Sequence, residues 1–241
     1  MTTMDVELAH DLAPTGVLRA SINLGNPVLA QGTPDEPSGV TVELAREVAT
    51  RLALPVRFIC FDAARKSYAA MAGGHADLCF LAVDPDREKD VAFSTPYVHI
   101  EGVYAAPVNS AFVSAEDVDR DGVRVGVKKG SAYDLHLSRT LRRATMVRGD
   151  EGVDVFHAEN LDVAAGIRQP LTAHISQRSD LRLLEPAFMT IRQAVGTPKE
   201  RLPRTTRFLS GLVTELLTSG FVAEALRRSG QDPTLAAPTP A

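Results

Sequence analysis

The chain has 241 residues, which is enough for one large domain or two small ones with sizeable cores. Hydrophobic residues make up 44% and charged residues 23%, and both fractions are typical of globular proteins. The formal net charge of −4 argues against a nucleic-acid partner, because phosphate backbones are bound by concentrated positive charge. No apolar run has the length needed to cross a membrane, so we expect no membrane span.

The beginning of the chain and its cysteines bear on the cellular compartment. Residues 1–7 lack a basic stretch followed by an apolar run, so we expect no secretory signal. For the sequence as it stands we expect a cytoplasmic protein, and a periplasmic one if a leader has been removed. Cys60 and Cys79 both lie in apolar, strand-like runs, where reduced thiols are expected more than a disulfide.

In chain order, the first third predicts alternating strands and helices. Apolar residues alternate from residue 16 to 23, which indicates a strand that ends in the turn Asn23-Leu24-Gly25-Asn26. The other predicted elements are helices at 41–52 and 64–72 and strands at 55–61 and 78–83. This order is typical of a parallel sheet with both faces covered.

A second α/β pattern follows. It predicts strands at 102–107, 122–127, 145–147, 181–184 and 192–196 and an apolar run at 161–167. The predicted helices are 131–143, 152–159 and a helical region at 204–228 that is broken near Ser219-Gly220. We predict a first lobe at 6–103 that is completed by 194–230, and a second lobe at 104–193, with the ligand in the cleft between the lobes. The Pro-, Ala- and Thr-rich tail at 231–241 is expected to be disordered.

Arg87 is the most informative single residue. It follows the apolar run 78–83, so we expect it just past the carboxyl end of a strand, where ligands bind in open α/β sheets. A guanidinium there can hold a carboxylate through two parallel hydrogen bonds. The alternative is a solvated turn, in which Arg87 pairs with Asp84, Asp86 or Glu88.

Several motifs occur in a characteristic order along residues 16–231. They are Leu18-Arg19-Ala20, Gly39-Val40-Thr41-Val42-Glu43-Leu44-Ala45, Gly74-His75-Ala76-Asp77-Leu78, Phe93-Ser94-Thr95-Pro96-Tyr97 and Val125-Gly126-Val127-Lys128-Lys129-Gly130-Ser131. This ordered set resembles the family 3 extracellular solute-binding proteins, the amino-acid-type receptors of ABC importers. The resemblance implies an α/β fold of the two-lobed type II periplasmic-binding-protein kind, with a hinge and an interlobe cleft.

The resemblance also implies a function. We expect a monomeric, non-catalytic binding protein for a small, amino-acid-like carboxylate ligand, with an ABC permease as a partner and with no cofactor or metal. The resemblance implies that the ligand carboxylate is bound by Arg87, by the backbone N–H of Gly130 and by the hydroxyl of Ser131. Ser131 is also a good helix N-cap with Asp134 three residues on, and an ordinary cap is the alternative. The other expected ligand contacts are Asn23, Asn26, Phe80, Ala82, Asp84 and Gln193.

Departures from the family pattern concern the ligand's other groups. Ile167 stands where the family usually carries the Asp that holds an α-ammonium, and Phe80 and Ala82 stand where Ser or Thr is frequent. Asp84 is able either to replace the lost acid or to cap its turn. Recognition of an ordinary amino acid is therefore an open question, because a buried ammonium without a partner costs several kcal/mol.

Other functions remain open at this point. A cyclohexadienyl-dehydratase-like enzyme on the same fold needs a general acid, for which Glu101, Asp84 and His99 are the candidates. For His99 and Glu101, polar residues at a hinge are the alternative. An intracellular ligand sensor and a degenerate receptor that docks a protein partner are further alternatives. No Cys/His cluster has metal-ligand spacing, and no nucleotide-binding loop ends in Gly-Lys-Ser/Thr.

Overall fold

The computed structural model of the chain describes the backbone of residues 3–240 and the side chains of residues 6–240. The helices in that range are α1 (Thr3–Leu12), α2 (Val40–Arg51), α3 (Ala64–Ala72), α4 (Ala132–Thr140), α5 (Gly152–Ala158), α6 (Arg168–Ser176), α7 (Pro203–Thr218) and α8 (Phe221–Arg228). The strands are β1 (Leu18–Asn23), β2 (Gln31–Gly32), β3 (Pro37–Ser38), β4 (Val56–Phe61), β5 (Leu78–Ala82), β6 (Val91–Pro107), β7 (Arg124–Lys128), β8 (Thr145–Gly149), β9 (Val163–Ile167) and β10 (Leu181–Pro198).

The elements predicted for the first third of the chain are confirmed, with boundaries shifted by at most two residues. The longest strands differ from the prediction. The predicted strand at 102–107 is only the end of β6, and the predicted strands at 181–184 and 192–196 are the two ends of β10. Their polar, Pro-containing middle parts hid the continuity, because Pro and charge in a run lower its apparent strand character.

Helices α1 and α6 were not predicted. Pro170 lies in the first turn of α6, where proline is tolerated because its missing N–H has no partner there anyway. Asp11 of α1 accepts a hydrogen bond from the Leu202 N–H, at 3.1 Å, and so caps the start of α7 from a distant part of the chain. Long-range capping of this kind leaves no local sequence signal.

The chain forms two compact units. Unit 1 comprises Met1–His99 and Arg192–Ala241, and unit 2 comprises Ile100–Ile191. The predicted divisions at 103/104 and 193/194 lie four and two residues from these, and both pairs of divisions fall within β6 and β10.

Unit 1 is built on a sheet with the strand order β4-β1-β5-β10. β1 runs parallel to β4 and to β5, whereas β10 runs antiparallel to β5. Helices α2 and α3 connect the three parallel strands. The carboxyl ends of the parallel strands therefore lie at one edge of the sheet, and every residue of β5 is buried.

Unit 2 repeats this layout with the strand order β6-β9-β7-β8. β7 runs parallel to β8 and to β9, and β6 runs antiparallel to β9. Helix α5 begins at Gly152, which lies so close to the sheet that a Cβ there would be 2.6 Å from the carbonyl oxygen of Ala165. Only glycine permits this approach, which fixes the start of α5 against β7 and β9.

The segment after α8 is ordered against unit 1. Ala236 forms a β-bridge with Val98, and the Ala237 N–H donates to the carbonyl oxygen of Tyr97 at 2.9 Å. Ala237 is only 6% exposed. The prediction of a disordered tail is therefore wrong for this part, because β6 offers backbone partners that composition does not reveal, while Ala241 lies outside the described residues.

No single helix of the described chain combines the length and the apolar content of a membrane span. Helices α7 and α8 reach that length and composition only when taken as a pair, which is bent by 72°.

Candidate functional site

The turn that carries Arg87 is built by Asp84. The Asp84 carboxylate accepts the Asp86 N–H at 2.9 Å, while its carbonyl oxygen accepts the N–H groups of Arg87 and Glu88 at 3.0 and 2.9 Å. These bonds close the 3₁₀ turn Arg87–Lys89 directly after β5. Of the two roles predicted for Asp84, the turn cap is thus confirmed, and its contact to a ligand stays a prediction.

The side chain of Arg87 is not solvated. Arg87 is 2% exposed, and its Nη1 donates to the carbonyl oxygen of Ala82 at 3.1 Å. Burial lowers the pKa of Arg87, and the negative charge of Asp84 is the main influence that opposes this effect. The solvated environment of that alternative is therefore wrong, whereas its interaction of Arg87 with Asp84 is present, and the guanidinium lies at the carboxyl end of β5.

Two other predicted contacts lie beside this guanidinium. Gln193 on β10 is paired with Ala82 in the antiparallel ladder and is 5% exposed. The Val83 N–H donates to the carbonyl oxygen of Arg192 at 2.9 Å, so the strand pairing continues up to the turn. The structure thus brings Arg87, Ala82 and Gln193 together in unit 1.

Phe80 has a role in the core. Its ring packs edge-on against the ring of Tyr97 at a centroid distance of 6.2 Å, and both residues are buried. Its predicted ligand contact stays a prediction.

Cys79 on the same strand is fully buried, which raises the pKa of its thiol to about 12 although the Arg87 charge acts against the shift. This thiol is therefore neutral near pH 7, and Cys60 is a free thiol as well.

Asn23 and Asn26 shape the turn after β1. The Asn23 Oδ1 accepts the Gly25 N–H at 3.1 Å, and the Asn26 Oδ1 accepts the Val28 N–H at 3.2 Å. Asn26 is only 4% exposed. Both side chains thus serve a structural purpose at the carboxyl end of β1, and their ligand contacts stay predictions.

In unit 2, Ser131 is the N-cap of α4. Its Oγ accepts the Asp134 N–H at 3.0 Å, and Ser131 is 8% exposed. Gly130 precedes it with φ +70°, a left-handed conformation that glycine adopts at little cost. The cap predicted from the sequence is confirmed, and the loop from β7 to α4 presents the helix start at the carboxyl end of β7.

The Asp134 carboxylate accepts the Gly130 N–H, the backbone donor that was predicted to bind the ligand carboxylate. Its Oδ2 accepts the Gly130 N–H at 2.8 Å, and its Oδ1 accepts the Arg148 Nε–H at 2.9 Å. Asp134 is 4% exposed, so this carboxylate occupies the helix start from within the protein. A ligand carboxylate can take the Gly130 N–H only by displacing Asp134, which the sequence did not indicate.

At Ile167, where the family usually carries an Asp, the next residue is an arginine held by two glutamates. Ile167 is half-buried at the end of β9, and Arg168 follows as the first residue of α6. Arg168 donates to Glu101 through Nε and to both oxygens of Glu185 at 2.6 and 2.8 Å. These bonds raise the pKa of Arg168, and the two glutamates supply more negative charge than the arginine balances.

Sequence reasoning missed Lys128, the last residue of β7. Its side chain is 10% exposed and its ammonium forms an ion pair with Glu151. A lysine at a strand end two residues before a Gly-Ser helix start was the available signal. Among the described residues, no group of three or more His, Cys, Asp or Glu side chains has an arrangement that could hold a metal ion.

Comparisons with known proteins were made for the sequence and for the fold. A family model described as "Bacterial extracellular solute-binding proteins, family 3" matches residues 22–228. Among curated proteins, none matches the chain at a significant level.

Solved structures share the fold. A mutant of ArgBP from T. maritima is 20% identical, with a TM-score of 0.74, and the match covers 92% of this chain and 99% of that one. The cysteine-binding protein from Campylobacter jejuni is 19% identical with a TM-score of 0.74 and 92% of each chain covered. An ancestral amino acid-binding protein, a precursor of cyclohexadienyl dehydratase, is 17% identical with a TM-score of 0.72, covering 92% of this chain and 98% of its own. The predicted fold class, a two-lobed type II periplasmic-binding fold, is confirmed.

Proposed function

The chain belongs to the bacterial extracellular solute-binding proteins of family 3, and we propose that it binds a small, amino-acid-like carboxylate ligand without transforming it. An ABC permease is the partner that this membership favours. Among the structural relatives, the cysteine-binding protein and the ancestral amino acid-binding protein carry amino-acid ligands in their names. Arg87 and Ser131 are the proposed contacts to the ligand carboxylate.

The burial of Arg87 is the observation that carries the proposal. Moving a charged side chain out of water costs several kcal/mol unless an opposite charge or hydrogen bonds compensate for it. The Ala82 carbonyl and the charge of Asp84 contribute to this compensation. A bound carboxylate adds charge-assisted hydrogen bonds to a guanidinium that is already desolvated, where such bonds are strong.

The first experiment tests binding and the role of Arg87 together. The twenty amino acids and a set of small organic acids are screened for thermal stabilisation, and calorimetry then measures the affinity of each stabiliser. Arg87→Gln should weaken the best ligand by roughly tenfold or more, because a charge-assisted pair is lost.

Lys89→Gln is the matched control for this experiment. Lys89 lies in the same 3₁₀ turn, but its side chain is 70% exposed and pairs with Asp86 at 2.6 Å. We expect its loss to leave the affinity unchanged. If no acid binds, the proposed function is wrong, and if both variants weaken binding equally, the contact assigned to Arg87 is wrong.

Ser131 needs a variant that separates capping from binding. Aspartate is as good an N-cap as serine, so Ser131→Asp should keep the stability of α4. Its negative charge should repel a ligand carboxylate and lower the affinity. Unchanged affinity in a stably folded Ser131→Asp protein would show that this residue only caps the helix.

The dehydratase alternative finds little support among its three candidate acids. The Glu101 carboxylate is ion-paired with Arg168, and the Asp84 carboxylate accepts the Asp86 N–H. Burial, assisted by the charge of Arg192, lowers the pKa of His99, so the ring is neutral at pH 7 and unsuited to donate a proton. Incubation with prephenate tests this directly, and formation of phenylpyruvate would overturn the assignment of a binding protein.

A further inference from the structure

Two histidine rings in unit 2 meet through their Nε2 atoms. His157 lies in the last turn of α5 and His174 in the last turn of α6. The two Nε2 atoms are 3.3 Å apart, and the ring centroids are 5.5 Å apart with an interplanar angle of 41°. Both residues are half-buried. They are 17 positions apart in the chain, so the pair is produced by the packing of α5 and α6 and has no local sequence motif.

The core of unit 2 fixes the backbone on both sides of the pair. Phe156 directly precedes His157, and Ile175 directly follows His174. Phe156 belongs with Leu171 to one cluster of buried residues, and Ile175 packs against that cluster. The Phe156 ring also lies edge-on to the His157 ring at a centroid distance of 4.9 Å. Because these neighbours are packed in one core, the two imidazoles are positioned before any ligand binds.

The separation of the two nitrogens carries chemical information. An imidazole nitrogen without a proton presents a lone pair, so two such atoms that face each other need a proton or a cation between them. Two nitrogens bound to one tetrahedral Zn²⁺ at about 2.0–2.1 Å are about 3.3–3.4 Å apart, whereas neighbouring ligands of a square-planar ion are only about 2.8–3.0 Å apart. The observed 3.3 Å matches the tetrahedral value.

The ring orientation requires only a small adjustment. Around a tetrahedral ion the centroids of the two rings would be about 5.2 Å apart. The centroids in the structure are 5.5 Å apart, so a slight rotation of the half-buried rings brings both lone pairs onto one ion.

The charges around the pair do not exclude a cation. Burial, Arg178 and His174 lower the pKa of His157, whereas Asp180 and Asp154 raise it. Arg178 is itself paired with Asp180 at 3.0 Å, and Asp154 adds a second carboxylate. The three charged side chains are therefore negative in sum, and His157 is neutral at pH 7, which is the form of imidazole that binds metal ions.

We propose that His157 and His174 bind one Zn²⁺ ion through their Nε2 atoms, with solvent at the remaining positions. In the described part of the chain no third His, Cys, Asp or Glu joins the pair, so this is a two-ligand, exchangeable site. Two protein ligands supply roughly half the binding free energy of a four-ligand zinc site, which gives an expected dissociation constant of the order of 10 µM. The inference does not depend on the proposed function, because a ligand-binding protein can carry this site or lack it.

Zinc titration of the metal-free wild-type protein tests the proposal. The protein is treated with EDTA, the chelator is removed, and binding of ZnCl₂ is measured by calorimetry at pH 7. At 0.1 mM Zn²⁺ the melting temperature should rise by roughly 3–5 °C, because the ion binds the paired rings of the folded protein. Mg²⁺ at the same concentration should produce neither effect, because it prefers oxygen ligands.

Substitutions locate the site. His157→Gln and His174→Gln should each weaken zinc binding by roughly tenfold or more, because a single imidazole remains. His75→Gln is the matched control, since His75 is an exposed histidine after α3, and it should leave the zinc affinity unchanged. Circular dichroism establishes that each variant is folded.

A measurement on the wild type keeps the test independent of the variants. Among the six histidines of the chain, Zn²⁺ should shift the ring NMR resonances of His157 and His174 together and at the same zinc concentration. If Zn²⁺ does not bind, shifts other histidines instead, or binds the His157→Gln and His174→Gln proteins as tightly as the wild type, the two rings only share a proton and the inference is wrong.

Discussion

Arg87 in unit 1 and Arg168 in unit 2 both follow the third parallel strand of the same sheet layout, but their surroundings differ. Arg87 is 2% exposed and donates to the Ala82 carbonyl. The side chain of Arg168 is 26% exposed and is held by Glu101 and Glu185. Two carboxylates more than balance the charge of Arg168, whereas burial is the main influence on the pKa of Arg87 and the charge of Asp84 opposes it. Two arginines at equivalent positions after a strand thus have different electrostatic surroundings, and we propose anion binding for Arg87 alone.

The largest expected effect is on ligand affinity, and it is measured by replacing each of the two arginines separately with glutamine. Arg87→Gln should lower the affinity for the acid found by screening, and Arg168→Gln should change it less than about threefold, because Arg168 is already neutralised. Calorimetry on both variants measures the difference. Equal losses would remove the distinction drawn between the two residues.

A large effect on stability is expected at Asp134. Asp134→Ala removes the acceptor for the Gly130 N–H and for the Arg148 Nε–H, so the free energy of unfolding should fall by about 2 kcal/mol. Urea unfolding followed by circular dichroism measures it. Asp62→Ala is the comparison, since that carboxylate is 73% exposed and pairs with Lys66 at 2.8 Å. A fall no larger than that of Asp62→Ala would mean that the Asp134 bonds contribute little.

A smaller effect should come from Asp84. Asn can accept the Asp86 N–H as Asp84 does, so Asp84→Asn should keep the turn while removing the negative charge near Arg87. We expect the affinity for an acid to rise by roughly two- to fivefold, since the guanidinium loses its main internal counter-charge. Reduced affinity in a folded Asp84→Asn protein would show that Asp84 orients Arg87 and does not compete with the ligand.

The smallest expected effect concerns pH, and each unit contributes one histidine. Burial lowers the pKa of His99 in unit 1, with a contribution from Arg192, and of His157 in unit 2, with contributions from Arg178 and His174. In the unfolded chain a histidine takes up its proton near pH 6.5. The unfolded state therefore binds more protons below that pH, and the free energy of unfolding should decrease as the pH falls from about 7 to 5.

Histidine variants show how much of the pH dependence of the free energy of unfolding comes from each unit. Urea unfolding at pH 7 and pH 5 should show a smaller decrease for His157→Gln and for His99→Gln than for the wild type. His75→Gln, at an exposed position after α3, is the control. A decrease that is the same in all four proteins would assign the pH dependence to the carboxylates.

Much of the fold was predictable, because the strands and helices of unit 1 follow local rules. Apolar alternation marked β1, a continuous apolar run marked β5, and the serine N-cap marked the start of α4. The site was predictable only in part. The position of Arg87 after a strand was evident from the sequence, but its burial was not, since charged turns are usually solvated.

The missed contacts arise between residues far apart in the chain. Glu101 is 67 residues away from Arg168, and Glu151 is 23 residues away from Lys128. Such pairs are decided by tertiary packing, and no local pattern encodes them. The use of the Gly130 N–H by Asp134 is local, and the spacing of a capping box could have suggested it.

The short contact of Ala236 and Ala237 with β6 has a practical consequence for handling this protein. Shortening the chain after α8 would leave the backbone groups of Tyr97 and Val98 without these partners and expose a stretch of strand edge. Shortened versions should then be prone to self-association during purification. Fusion tags are better joined beyond residue 240 than placed at the end of α8.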